Sequence, residues 1–185
     1  MRPRLGLVCV TISKEIRYRT ITRKRLLEAS VDHQRVLLEV HGGKSNRSDA
    51  LVSAIAQLPD AIRSRLGLEN DEYSYSAEAI WQICKRSGLP MVFDAHHHVV
   101  HHKLASYEDP SVGEMLLKAR ETWPDPEHQL VHISNGRASF NDRQHSDLIE
   151  TMPSSYASAP WIEIEAKFKE DAIRGLQPWQ QAAQQ

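Results

Sequence analysis

Cysteine is scarce in this 185-residue chain, and long apolar runs are missing. Its two cysteines, Cys9 and Cys84, stand far apart with no CxxC spacing. That excludes a disulfide framework and fits two ordinary buried thiols in a reducing compartment. No stretch approaches the roughly 20 apolar residues needed to span a bilayer, and the arginines of the N-terminus precede no signal-peptide core. An excess of one charge is lacking too. A formal net charge of -1, with 25% charged residues, excludes a disordered chain and a globally basic nucleic-acid binder, although such a sum can hide a local patch. The expectation is a soluble, cytoplasmic protein folded as a single domain over residues 1–185, with a frayed glutamine-rich tail from 178 to 185. Histidine is what the chain has in plenty: there are ten, and five lie between His96 and His102.

Short apolar runs alternate with helical patterns. Leu5 to Val10, Val36 to Val40, Leu66 to Leu68, Met91 to Phe93, Leu130 to Ile133 and Trp161 to Ile164 read as strands. Between them, helices are expected over Ser48 to Leu66 with a kink or restart at Pro59, from a Ser76 cap to Ser87 before Gly88, and over Ser111 to Trp123. Weaker helical patterns lie at Arg23 to Ala29, His145 to Met152 and Lys169 to Leu176, and His101 and His102 read as loop residues. Six strands alternating with helices predict an α/β fold with a parallel sheet.

Five of these runs end on, or run directly into, an imidazole or a carboxylate: His41, Glu69, Asp94, His132 and Glu165. In a parallel barrel the C-terminal strand ends converge on one mouth. Asp94 and His97, three residues apart across a turn, could grip one ion, and Gly42-Gly43 after His41 would let a bulky anionic substrate approach. Each residue alone has an ordinary explanation, such as an acidic turn or a satisfied core histidine. Glu163 and Glu165 share a strand face, so spacing does not choose between them. As a set, His41, Glu69, Asp94, His97, His132, His145 and Glu165 offer nitrogen and oxygen donors without cysteine, which suits manganese, zinc or iron, and enough of them for more than one ion. Such sites suit in-line displacement at phosphorus, in which one ion activates water and another stabilises the leaving oxygen.

The motifs His41-Gly42-Gly43, Leu68-Glu69-Asn70-Asp71, Phe93-Asp94-Ala95-His96-His97-His98, Val131-His132-Ile133-Ser134, His145-Ser146-Asp147 and Ile164-Glu165-Ala166-Lys167 occur in the order seen in UV damage endonucleases, which the chain resembles. Tyr73-Ser74-Tyr75-Ser76 and the opening Arg4 to Val10 are similar as well. The resemblance implies a TIM-type, xylose-isomerase-like barrel with a manganese-containing cluster that cuts double-stranded DNA 5′ to UV photoproducts. It makes the seven residues metal ligands, with Glu69 and Glu165 as bridges and with Glu69, His41 and Glu165 as the catalytic set. Two departures stand out. Leu130 occupies a position where the family carries lysine, and residues 11–34 hold no counterpart of the family's second and third strands with their two histidines and Gln-Tyr wedge. An eight-unit barrel needs about 200 residues or more. The expectation is therefore an incomplete barrel of about six βα units that holds one or two ions and catalyses weakly. In the basic segment Lys14 to Arg25, the residues Arg23, Lys24 and Arg25 are candidates for DNA phosphate contacts, the other reading being scattered charges on a solvated loop. The competing functions are a sugar isomerase or epimerase on the same barrel and a truncated relative with impaired catalysis.

Overall fold

A computed structural model describes residues 4–6, 37–44, 47–176 and 179. Cys9, Val36, the basic segment with Arg23, Lys24 and Arg25, the expected helix over 23–29 and nearly all of the tail lie outside the described residues. Six strands form one sheet: β1 (Arg4–Gly6), β2 (Leu38–His41), β3 (Leu66–Glu69), β4 (Met91–Asp94), β5 (Leu130–Ile133) and β6 (Trp161–Ile164). Their spatial order is β1-β6-β5-β4-β3-β2, and every pairing is parallel. The short continuous apolar runs are strands of this kind because both faces are covered. Leu68, Met91, Val92, Phe93, Val131, Ile133 and Ile162 are all fully buried.

The helices are α1 (Ser48–Ala56), α2 (Asp60–Arg63), α3 (Ala77–Ser87), α4 (Ala95–His102), α5 (Pro110–Arg120) and α6 (Lys169–Gly175). Helix α3 has clear boundaries. The Ser76 side chain accepts the Ala79 N–H at 3.2 Å, and Gly88 closes the helix in the left-handed region at φ 68°, where only glycine is free of Cβ strain. Its buried face, Ala77, Ile80, Ile83 and Cys84, packs on the sheet beside Val112, Met115, Leu116 and Ala119 of α5. The expected 48–66 helix is two pieces, because Pro59 has no N–H to donate and instead sits at the N-cap of α2.

Two sequence expectations are corrected. His101 and His102 are not in a loop but form the last turn of α4, which begins immediately after β4 because Asp94 caps it. Residues 145–152 are not helical. The Ser146 N–H goes to the Asn135 carbonyl at 2.7 Å, and the Glu150 and Thr151 N–H groups go to the Asn135 side-chain oxygen at 2.8 and 3.0 Å. With its donors engaged across the chain and Pro153 following, the segment has no helical ladder to form. Among the described residues, no helix is long and apolar enough to cross a membrane.

Candidate metal centre

Register brings the strand ends together. His41 pairs with Glu69, Asp94 with His132, and Ile133 with Ile164, so the C-terminal ends of β2 to β6 open at one edge, with Glu165 one residue beyond β6. Around this mouth, ligand atoms of Glu69, Asp94, His132 and Glu165 all lie within 4.8 Å of one another, as do those of His97, His145 and Glu165. His132 Nδ1 is 3.1 Å from Glu69 Oε1 and 3.4 Å from Glu165 Oε1. His145 Nδ1 is 3.7 Å from Glu165 Oε2. His41 stands at the rim, half exposed, with its Nε2 3.5 Å from Glu69 Oε2 and its ring 5.5 Å from that of His97. All seven residues singled out in the sequence thus converge, six of them in the two tight groups and His41 against their edge.

The surroundings aim these side chains. Asn70, the residue after β3, donates to the Asp94 carbonyl at 2.9 Å and accepts the Asp94 N–H at 3.0 Å, so its amide extends the β3–β4 ladder by one step. Asp94 Oδ1 accepts the His97 N–H at 2.8 Å as the cap of α4, leaving Oδ2 buried with no hydrogen-bond partner. His97 Nδ1 lies 2.9 Å from the Asn70 carbonyl, an acceptor only, so this nitrogen carries the proton and Nε2 is free to ligate. The Tyr156 hydroxyl donates to the His132 carbonyl at 2.8 Å and accepts the Ala95 N–H at 3.0 Å, pinning the ends of β4 and β5.

The histidine block divides by its partners. His96 turns away to the Tyr107 hydroxyl and the Asp142 carbonyl, both at 2.8 Å, and His98 to Ser111 Oγ at 3.0 Å, so both are structural. Gly42 has a packing reason that the sequence did not reveal: a Cβ there would come within 2.6 Å of the Tyr75 ring. Glu72, 3.9 Å from His97 Nε2, and Glu39, 3.0 Å from His132 Nε2, also reach the site and were missed. Glu39 alternates with His41 on β2 as Glu163 of β6 does with Glu165 just beyond it, and that period of two was the available signal for Glu39.

So many ionisable groups perturb one another. Burial lowers the His97 pKa, but the Asp94, Glu69, Glu72 and Glu165 carboxylates outweigh it and raise it to about 9. His132 is likewise pushed up, burial being overcome by Glu69 and Glu39. Burial, with the charges of Glu69 and Asp94, raises Glu165 to about 7 against the pull of His132. Glu69 and Asp94 go down despite their burial, because His132 and His97 respectively lead the imidazoles facing them. Carboxylates and imidazoles at this density must share protons or hold cations. The orphaned Asp94 Oδ2, the His97 Nε2 from which a bound cation would displace the proton, and the mixed oxygen and nitrogen donor set fit a divalent first-row cation.

A parallel α/β sheet of the TIM-barrel type with such a cluster at its strand ends defines a barrel protein with a candidate cation site at its mouth. Residues 24–182 match the UV-endonuclease UvdE family, and the chain belongs to that family. It is 58% identical over 143 residues to a UV DNA damage endonuclease of Nostoc sp., covering 77% of this chain and 44% of that protein. It is 57% identical over 140 residues to the Deinococcus radiodurans protein of the same name, covering 76% of this chain and 46% of that one. The crystal structure of SacUVDE shares the fold at a TM-score of 0.66 and 22% identity, over 86% of this chain and 56% of that one. The chain therefore spans about half the length of the relatives it matches.

Proposed function

We propose that this chain carries the metal centre of a DNA repair endonuclease that hydrolyses a phosphodiester 5′ to UV photoproducts in double-stranded DNA. The observation that carries the reading is the convergence of Glu69, Asp94, His132 and Glu165 within 4.8 Å in a member of the UvdE family. The family match favours it over the polyol isomerase reading.

In this proposal His41, Glu69, Asp94, His97, His132, His145 and Glu165 hold divalent ions, manganese first among them. Glu69 and Glu165 are the bridging carboxylates, since each faces more than one of the histidines. Ions held there supply activation of water and neutralisation of charge on the phosphate. Asn70 fixes the His97 tautomer, and Asp94 is held by both the cap and the Asn70 amide, so these ligands need little reorganisation. In this reading His41, half exposed at the rim beside Glu69, meets the phosphate. Arg23, Lys24 and Arg25 are further phosphate contacts in this proposal, on the support of sequence alone.

Nicking of UV-irradiated supercoiled plasmid, with and without manganese, tests the reading. Manganese-dependent nicking that disappears in Glu69→Gln is the expected result; equal nicking by the two proteins would overturn it.

A further inference from the structure

Two loops that feed the mouth also carry side chains the metal centre does not use. In the loop after β3, Glu72 reaches His97 Nε2 at 3.9 Å, and its neighbour Tyr73 is 63% exposed. In the loop after β5, His145 joins the mouth, and two residues before it Arg143 lays its guanidinium 4.3 Å from the centre of the Tyr73 ring. The pair therefore bridges two loops that each lend a residue to the mouth.

Both loops are held stiffly. The buried Asp71 carboxylate accepts the Tyr73 N–H at 2.7 Å, the Ser74 N–H, and the Tyr75 N–H at 3.2 Å, while the Asp71 N–H closes the loop on the Tyr75 carbonyl at 3.0 Å. On the other side the Asp142 carboxylate accepts the Ala138 and Gln144 N–H groups, each at 3.0 Å, and the buried His96 donates to the Asp142 carbonyl at 2.8 Å. The backbone is fixed, yet the side chains at the tips stand in water. Tyr75, two residues on, shows the packing alternative: it is turned inward and buried against Gly42.

Arg143 also differs from the other cations that lie on rings. Lys118 over Trp81 is paired with Glu78 at 2.9 Å, and Lys167 over Phe168 with Asp147 at 3.7 Å. Among the described residues, Arg143 has neither a carboxylate nor a hydrogen-bond acceptor, so its face is held on the ring while its fork of N–H donors is unfilled. Open guanidinium donors suit a phosphate, and an exposed ring beside them suits a nucleobase.

We infer that Tyr73 and Arg143 form a nucleotide clamp at the rim of the mouth, in which Tyr73 stacks on a base that has left the duplex stack and Arg143 holds a phosphate of the same DNA strand. The clamp rests on the reading of the mouth as a DNA-cutting centre and adds to it a preference for disturbed stacking. A base inside an intact duplex has its faces covered by its neighbours, whereas one loosened by a mismatch, a bulge or damage is unstacked at lower cost. Every base has such a face, so the clamp reads lost stacking and not sequence.

The test is fluorescence anisotropy in manganese(II) on a labelled duplex with a thymine bulge and on its fully paired counterpart, both with phosphorothioate linkages to slow cutting. The wild type should bind the bulged duplex more tightly. Tyr73→Leu should weaken that binding at least about fivefold and leave the paired duplex nearly unchanged, while Tyr73→Phe, which keeps the ring, should retain it. Arg143→Gln should lower the salt slope on the bulged duplex by about one, and Tyr73→Leu should not. Equal affinity of the wild type and Tyr73→Leu for the bulged duplex overturns the clamp. With 2-aminopurine in the bulge, the wild type itself gives a second readout that needs no variant to fold: emission quenched on binding supports stacking, and emission unchanged on binding contradicts it. Plasmid nicking by Glu69→Gln, run alongside, separates the two readings. If that variant nicks as well as the wild type while binding still depends on the Tyr73 ring, the metal-centre reading falls and the clamp stands; if nicking needs Glu69 but binding ignores the ring, the clamp alone falls.

Discussion

The two ends of the sheet are built on opposite terms. At the N-terminal end the polar groups are closed on one another: Gln129 donates to the Leu116 carbonyl at 2.8 Å and accepts from Arg120 at 2.7 Å, while the Met91 backbone is satisfied by Thr122 at 2.8 Å and Trp123 at 2.7 Å. At the C-terminal end Asp94 Oδ2 and His132 Nε2 are buried without hydrogen bonds, and Glu165 is crowded by Glu69 and Asp94. One end holds the fold together. The other keeps buried polar groups in unfavourable company, as functional sites do when a ligand is to relieve them.

Substitutions at the two ends should therefore have opposite consequences. At the mouth, Glu69→Gln should lower manganese-dependent nicking by at least about a hundredfold while the chain still folds, measured by plasmid nicking beside far-UV circular dichroism. At the closed end, Gln129→Ala should cost about 1–3 kcal/mol in urea unfolding, since it strands the Leu116 carbonyl and the Arg120 guanidinium, and should leave manganese stoichiometry unchanged. A loss of metal on that substitution would show that the ends are not separable.

Proton binding separates the ends further. The folded-state pKa of His97 is raised to about 9, so its contribution is complete below the ordinary histidine value and is lost as pH rises through 9. Glu165, raised to about 7, acts with the same sign: protonated and tolerated at low pH, it costs stability once it ionises. Glu69 and Asp94 are lowered and lose their contribution only on acidification. The metal-free chain should therefore melt lower at pH 9 than at pH 6, and manganese should recover more stability at the higher pH because binding displaces those protons. Glu165→Gln should raise the melting temperature of the metal-free chain at pH 8 while weakening manganese binding, a trade of stability against function. The smallest effect is expected at the basic segment: neutralising Arg23, Lys24 and Arg25 should lower the salt slope of DNA binding by about 0.9 for each phosphate that is no longer neutralised.

The strand ends were legible because a parallel sheet repeats one rule: an apolar run buried on both faces, then a polar residue at the mouth. That rule located His41, Glu69, Asp94, His132 and Glu165, and the motifs around them added His97 and His145. What the sequence did not carry was decided by partners distant along the chain. His96 and His98 differ from His97 only through Tyr107, Asp142 and Ser111, and residues 145–152 lost their helix to Asn135. Gly42 answers to the ring of Tyr75, far along the chain in the loop before α3. Spacing could not choose between Glu163 and Glu165, and the structure gives both a place, on opposite sides of His132.

The mouth should bind divalent cations through its own side chains. Quantitative metal analysis of the protein dialysed against manganese(II), with Glu69→Gln alongside, tests it most directly. At least one bound equivalent is expected in the wild type and fewer in the variant; a wild-type protein that binds none would contradict cation binding at the mouth.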